Sequence, residues 1–455
     1  MSRPNHPQNE AEVNSVSKQT IDTLIHARWV IPVVPSGTVL ENHSIAIHNK
    51  KIVAICPTAD ANALYIADQE TALNNHAVIP GLVNTHGHSP MVLLRGIADD
   101  VPLQEWLEER IWPLEGKFVS REFVQQGTTL AMAEMIASGT TTFADNYFFP
   151  DEVAKVAQHT QMRVQLASPV LDFPTAWAQD ADEYIRKATQ LHVDFRPSDF
   201  VYTAFGPHAP YTVSDGPLEK IAVLADELDI PIHMHVHENA KEVTDAVASD
   251  GRRPIKRLHD LGLISPRMVC VHATQLQTAE MDLLAELGAS VVHCPESNLK
   301  LASGFCETAK LKRHGVNTAL GTDGGASNND LDMFGEMQTA AMLAKAVAED
   351  ASALPAHEVL EMATMNGARA MGMDRFIGSL EVDKFADITA VDMDALNRLP
   401  MHNPLSHLVY ACKASQVSHV WCGGRLLYQE GELQTLDLIA IKQQASQWLK
   451  KMAGA

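Results

Sequence analysis

AVIPGLVNTHGHSP, residues 77–90, is the stretch on which the reading of the fold turns. The apolar run at 77–83 reads as a buried strand, and a His-Gly-His triplet falls just past its end. On an extended backbone, positions i and i+2 point to the same side. Two imidazoles so placed are spaced to hold one divalent ion through nitrogen. With 21 histidines in the chain, packing alone also produces an occasional His-x-His. The weight therefore rests on what lies downstream.

From residue 78 the text alternates strand and helix. Candidate strands fall at 78–84, 140–145, 163–169, 200–205, 231–236, 268–272, 290–293 and 317–321. Helical stretches follow most of them, at 121–138, 176–192, 215–229, 277–287, 307–314 and 330–348, with a further helix at 355–370. Eight strands alternating with helices predict an α/β fold, a closed parallel (β/α)8 TIM-like barrel inside a ring of helices. The competing arrangement is an open doubly wound sheet. No G-x-G-x-x-G follows any of these strands, which weakens a dinucleotide-binding reading.

The flanks have a different texture. Residues 21–75 are β-branched and broken at Pro35-Ser36-Gly37 and Asn49-Lys50, and strand-like text returns at FADITAVDM and VSHVWCGGRLLY. A composite small β-sandwich domain built from both chain ends accounts for this. The expected organisation is a flexible tail over 1–20, a composite β domain over 21–77 plus 376–440, a metal-dependent barrel over 78–375 and a C-terminal helix over 441–455.

Composition sets outer bounds. The 455 residues are 46% hydrophobic and 20% charged, as in ordinary globular proteins. A net charge of −21 argues against nucleic-acid or anionic-membrane binding by bulk electrostatics. No apolar run approaches the length of a membrane span. The six cysteines are scattered, without C-x-x-C spacing, and no secretory signal is read. Reduced buried thiols in a cytoplasmic protein are the expectation.

In a barrel of this kind, chemistry gathers where the strands end. Strand one ends in His86-Gly87-His88 and strand four in Gly206-Pro207-His208. Strand five carries His233-Met234-His235-Val236-His237-Glu238, strand six ends in His272, and strand eight runs into Thr322-Asp323-Gly324-Gly325. Three imidazoles and a carboxylate suit zinc or another borderline divalent ion. Such an ion lowers the pKa of a bound water, and a nearby carboxylate must then carry protons to the leaving group. Glu238, three residues after His235, is the candidate. Alternation alone does not decide which of His233, His235 and His237 ligates, and packing or a supporting hydrogen bond is the competing role for His233 and His237. Asp323 could equally cap the turn before Gly324-Gly325.

Taken together, Pro80-Gly81-Leu82-Val83-Asn84-Thr85-His86-Gly87-His88, His235-Val236-His237-Glu238, His272, Gly321-Thr322-Asp323 and the stretch GSLEVDKFADI at 378–388 resemble the amidohydrolase superfamily. The similar branch is that of the methylthioadenosine/S-adenosylhomocysteine deaminases and the triazine hydrolases. The resemblance implies one zinc, or ferrous iron, on His86, His88, His235 and Asp323, with His272 facing the bound water. Binuclear relatives carry a carboxylated lysine at the end of strand four, and this chain has no lysine between 199 and 212. LQEWL at 103–107 and IWPLE at 111–115 match the deaminase pattern, in which Trp106 flanks the purine or its thio substituent and Glu115 bonds the ribose hydroxyls. A helix-core role for Trp106 and a solvated charge for Glu115 are the plainer alternatives. His208 and Ser327 match substrate-contacting positions, and Arg163 (or Arg186) is the candidate partner of a substrate carboxylate. The implied activity is hydrolytic deamination of an adenine nucleoside, with Glu238, His272 and Asp323 as catalytic groups and a homo-oligomer, dimer or tetramer, as the assembly. The alternatives are the same fold acting on guanine or a triazine, and a non-catalytic relative with an assembly role.

Overall fold

The computed structural model describes residues 18–453. In chain order its strands are β1 (Gln19–Val30), β2 (Leu40–His48), β3 (Lys51–Pro57), β4 (Tyr65–Pro80), β5 (Leu82–Asn84), β6 (Thr140–Asp145), β7 (Arg163–Val170), β8 (Val201–Pro207), β9 (Ile232–Val236), β10 (Met268–His272), β11 (Ser290–His293), β12 (Asn317–Leu320), β13 (Ile388–Asp392), β14 (Val417–Cys422), β15 (Arg425–Gln429) and β16 (Glu432–Leu433). They form two eight-stranded sheets.

The larger body is the parallel sheet from β5 to β12, in sequential order. Its ends meet. Thr85 N–H donates to Leu320 O at 2.9 Å and Asp323 N–H to His86 O at 3.0 Å, so the sheet closes into the expected barrel. Strands such as β6 and β7 are buried at every residue, the mark of strands covered on both faces. Several of the surrounding helices begin at side-chain caps. Ser120, Asp180 and Asn239 side chains accept backbone N–H groups at the starts of Arg121–Ala137, Ala181–Phe195 and Ala240–Asp250.

The second sheet is mixed, in the order β16-β15-β14-β13-β4-β1-β2-β3, and draws strands from both ends of the chain. It curls on itself: Trp421 of β14 shares an apolar cluster with Ile45 of β2, and Ile52 N–H bonds Lys384 O at 3.0 Å.

Two elements depart from the sequence reading. The run expected as one barrel strand over 78–84 is cut at Gly81: its first half ends β4 in the mixed sheet, and only β5 enters the barrel. A Cβ at Gly81 would lie 2.1 Å from Thr141 Oγ1, so only glycine lets the chain cross between the sheets there. Hydrophobicity is continuous across the cut, which hides it from pattern reading. The helix expected over 355–370 is also split, into Ala356–Met362 and Met365–Ala370. The break falls where Ala363 O accepts Val83 N–H at 2.8 Å. Of the expected tail, residues 1–17 lie outside the described residues, and Gln19 and Thr20 already belong to β1. All six cysteines are free. Among the described residues no helix is long and apolar enough to cross a membrane.

Candidate active site

His86, His88, His235, His272 and Asp323 converge at or just past the C-terminal ends of β5, β9, β10 and β12. The ring centroids of His86 and His88 are 4.8 Å apart, as are those of His86 and His235, and His235 stacks on His272 at 5.5 Å. Asp323 Oδ1 lies 3.4 Å from His86 Nε2 and 3.3 Å from His88 Nε2. Nitrogen and oxygen donors of His86, His235 and His272, and of His86, His88 and Asp323, fall within 4.8 Å of one another.

The outer nitrogens explain how the rings are aimed. His88 Nδ1 donates to Asn146 O at 2.6 Å and His235 Nδ1 to His208 O at 2.7 Å. A carbonyl only accepts, so each of these Nδ1 atoms carries a proton, and in the neutral ring the Nε2 is the nitrogen left to face the cluster. His272 Nδ1 is 2.8 Å from Asn298 Oδ1, and His86 Nδ1 is 2.8 Å from His233 Nε2. His86 Nε2 is buried with no hydrogen-bond partner. Rings held from behind in this way are typical of metal ligation, and the N₃O donor set fits a zinc-like ion. Burial pushes His86 down to about 4 and His235 well below its ordinary value, which keeps both lone pairs available.

Asp323 is fixed as tightly. Its Oδ2 accepts Ser297 Oγ–H at 2.6 Å and its Oδ1 accepts Gly324 N–H at 2.7 Å. Burial would raise its pKa, but the neighbouring His86 and His88 hold it well below the usual carboxylate range. His272 and Asp323 sit at φ 71° and 64°, and His237 at 55°. Left-handed backbone costs a non-glycine residue about 1–3 kcal/mol and persists only where the surroundings over-determine it. Glu238 completes the floor, with Oε1 3.7 Å from His272 Nε2. Burial raises the Glu238 pKa, towards the range useful for moving a proton at neutral pH.

Above this floor opens a cavity of about 340 Å³. Trp106, Glu115, His208 and Ser327 all line it. Trp106 is 5% exposed, and its indole N–H is buried without a partner. Glu115 Oε1 accepts Tyr147 O–H at 2.5 Å. Both ride on a helical run absent from the sequence reading, Leu103–Glu105, Trp106–Ile111 and Trp112–Phe118, whose middle part is a π-turn. Such turns recur at functional sites.

A family model described as "Amidohydrolase family" matches residues 77–427. The chain belongs to the amidohydrolase family. Among curated proteins it is 49% identical over 436 residues to the 5-methylthioadenosine/S-adenosylhomocysteine deaminase of Saccharophagus degradans, covering 96% of this chain and 98% of that one. It is 41% identical to the 5'-deoxyadenosine deaminase of Methanothermobacter thermautotrophicus, covering 87% and 91%. A solved adenosine deaminase from Xanthomonas campestris with bound zinc superposes with a TM-score of 0.96, at 50% identity and 96% and 100% coverage.

Within this amidohydrolase frame one expected site residue is misplaced. Arg163 does not line the cavity. It is the first residue of β7, and so sits at the opposite rim of the barrel, fully buried. Its Nε and Nη2 donate to the two Asp387 oxygens at 3.2 and 3.1 Å, and it also bonds Asp199 O. The guanidinium lies 4.5 Å from the Phe385 ring centroid. Its work is to tie the barrel to the loop leading into β13. Arg186 is exposed and pairs with Glu183 at 3.5 Å. Arg163→Met, which strands a buried Asp387, should therefore lower stability by about 3–5 kcal/mol in urea denaturation, with the KM of the folded enzyme unchanged. A raised KM at unaltered stability would return Arg163 to the substrate.

Several side chains that hold the site escaped the sequence reading. Asn146, Ser297 and Asn298 follow β6 and β11 with no motif to announce them. Glu242 had a signal: Asn239-x-x-Glu242 has capping-box spacing directly after Glu238. Its two carboxylate oxygens accept the N–H groups of His237 and Glu238 at 2.9 and 2.7 Å, which pins the turn carrying Glu238. His233 stands behind His86, and His237 turns away, its Nδ1 3.9 Å from Glu280.

Proposed function

We propose that the chain is a metal-dependent hydrolytic deaminase of adenine nucleosides, taking 5'-methylthioadenosine and related 5'-substituted adenosines to the inosine analogue and ammonia. The observation that carries this is the convergence of imidazole nitrogens with Asp323 at the floor of a cavity whose wall presents a single half-buried carboxylate, Glu115. The activities of the named relatives support it. His86, His88, His235 and Asp323 are assigned to one ion, zinc or ferrous iron, and the bound zinc of the Xanthomonas structure supports the first. When bound, the ion acidifies a water molecule. Glu238 takes a proton at its carboxylate and delivers it to the ring nitrogen beside the amine-bearing carbon, then carries a second proton to the departing amine. His272, held by Asn298, orients the water. Trp106 packs on the purine, Glu115 accepts from the ribose hydroxyls, and His208 and Ser327 complete the substrate contacts. A homo-oligomer and a cytoplasmic setting complete the reading; the free cysteines support the second.

Ammonia release from methylthioadenosine, adenosine, free adenine, guanine and a chlorotriazine tests this. A free base leaves Glu115 without its hydroxyl partners, and an unsatisfied buried acceptor costs about 1–3 kcal/mol, more when charged. The nucleoside should be favoured over its base by at least about tenfold in kcat/KM. Glu115→Ala should erode that preference by weakening nucleoside turnover. Faster turnover of guanine or the triazine would overturn the nucleoside assignment.

A further inference from the structure

Resting on the adenosine reading, the rim of the cavity carries a further consequence. In an adenine nucleoside the amine and the sugar sit at opposite ends of the base. With the amine at the histidine floor, the sugar points to the mouth and the 5'-substituent reaches the rim. The rim is marked by the large aromatic lining side chains that remain exposed: Trp112 at 37%, Phe173 at 43% and Tyr211 at 51%. Leu107 and Pro174 add apolar surface to the same cavity. Among the described residues, no Lys or Arg lines this cavity, and its formal charges are all carboxylates: Glu115, Glu238 and Asp323.

Two cations close by are committed elsewhere. Lys300, next to the lining residue Leu301, donates to Asp99 at 2.6 Å and to Asn329 at 2.7 Å. Arg257 belongs to a neighbouring cavity reached past Tyr211, and pairs with Asp215 at 2.6 Å.

We propose that the aromatic, cation-free rim makes this enzyme selective for adenosines with a short uncharged 5'-group, and that it discriminates against a 5'-thioether ending in a free amino acid. A methylthio group loses nothing by entering such a rim, since apolar surface is buried against aromatic surface. An amino-acid tail brings a carboxylate and an ammonium that must shed water against rings, with no guanidinium or ammonium of the protein to receive the carboxylate.

The test compares kcat/KM on methylthioadenosine, 5'-butylthioadenosine and S-adenosylhomocysteine. The butylthio compound matches the long tail in reach without its charges. Methylthioadenosine should exceed S-adenosylhomocysteine by at least about tenfold, with butylthioadenosine within about threefold of the methyl compound. Phe173→Arg, which places a cation on the rim, should raise the ratio of homocysteine to methylthio turnover. Three results would overturn the proposal. Less than a tenfold difference would show that the tail is accommodated, and loss of that turnover in Arg257→Ala would place the tail in the neighbouring cavity. Equal failure of both long tails would make length, not charge, the cause. No turnover of any adenine nucleoside would remove the deaminase reading and this one with it.

Discussion

Glu238→Gln is expected to lower kcat by about two to four orders of magnitude, the range associated with general acid–base catalysis. Glutamine keeps the shape and polarity of the side chain but cannot take up and return a proton. Deamination needs one proton at the ring nitrogen and another on the leaving amine, and both originate from the attacking water. Glu238 lies at the cavity floor, 8% exposed, with its backbone N–H fixed by Glu242 and its Oε1 3.7 Å from His272. The loss should fall on kcat, with KM and metal content little changed, because the proton shuttle acts in the transition state rather than in substrate binding. Steady-state kinetics with elemental analysis of the same preparation checks this. Turnover within tenfold of the parent enzyme would move the shuttle to another group, His272 being the nearest titratable one.

The part of the fold visible in the sequence is the part in which local pattern and tertiary role agree. Strands β6 to β12 are short apolar or β-branched runs bounded by turns, and helices with clear caps separate several of them, so each announces itself. Gly81 shows where this stops. Val78, Ile79, Leu82 and Val83 are equally apolar, and only the position of Thr141 across the gap divides them between two sheets. The segment carrying Trp106 and Glu115 is not among the helical stretches that periodicity gives, because its π-turn breaks the 3.6-residue period, although a helix-core role for Trp106 is one of its readings and both residues stand out by resemblance.

For the site, strand-end histidines were legible because a barrel gathers all strand C-termini at one rim. The same rule argues against Arg163, which opens its strand rather than ending it. That was readable from the strand boundaries alone, since residue 163 is where the apolar run begins. The supporting groups were not readable. Asn146, Ser297 and Asn298 acquire their roles only through contacts between strands far apart in sequence, and single-sequence patterns do not encode those.

His86→Ala should abolish both metal content and deaminase activity. Elemental analysis of the parent protein should give about one divalent ion per chain, as expected for a single N₃O site. His86 is central to the cluster: its ring lies 4.8 Å from those of both His88 and His235, and its Nε2 is buried without a hydrogen-bond partner, 3.4 Å from Asp323 Oδ1. Removing it takes one donor and opens a gap beside Asp323, so the remaining donors no longer surround a common point. His233→Ala should act more mildly. It leaves every proposed ligand in place and removes only the group behind His86 Nδ1, and loss of such an outer partner typically costs about 10–100-fold in metal affinity. His237→Ala is the control, since its ring faces Glu280 and the Ile255 N–H rather than the cluster, and it should retain the ion. Titration with a chelator orders the variants: parent and His237→Ala hold the ion most tightly, His233→Ala releases it earlier, and His86→Ala has none to release. Two tightly held ions per chain in the parent would overturn the single-metal assignment. Retention of the ion by His86→Ala would overturn the ligand set itself.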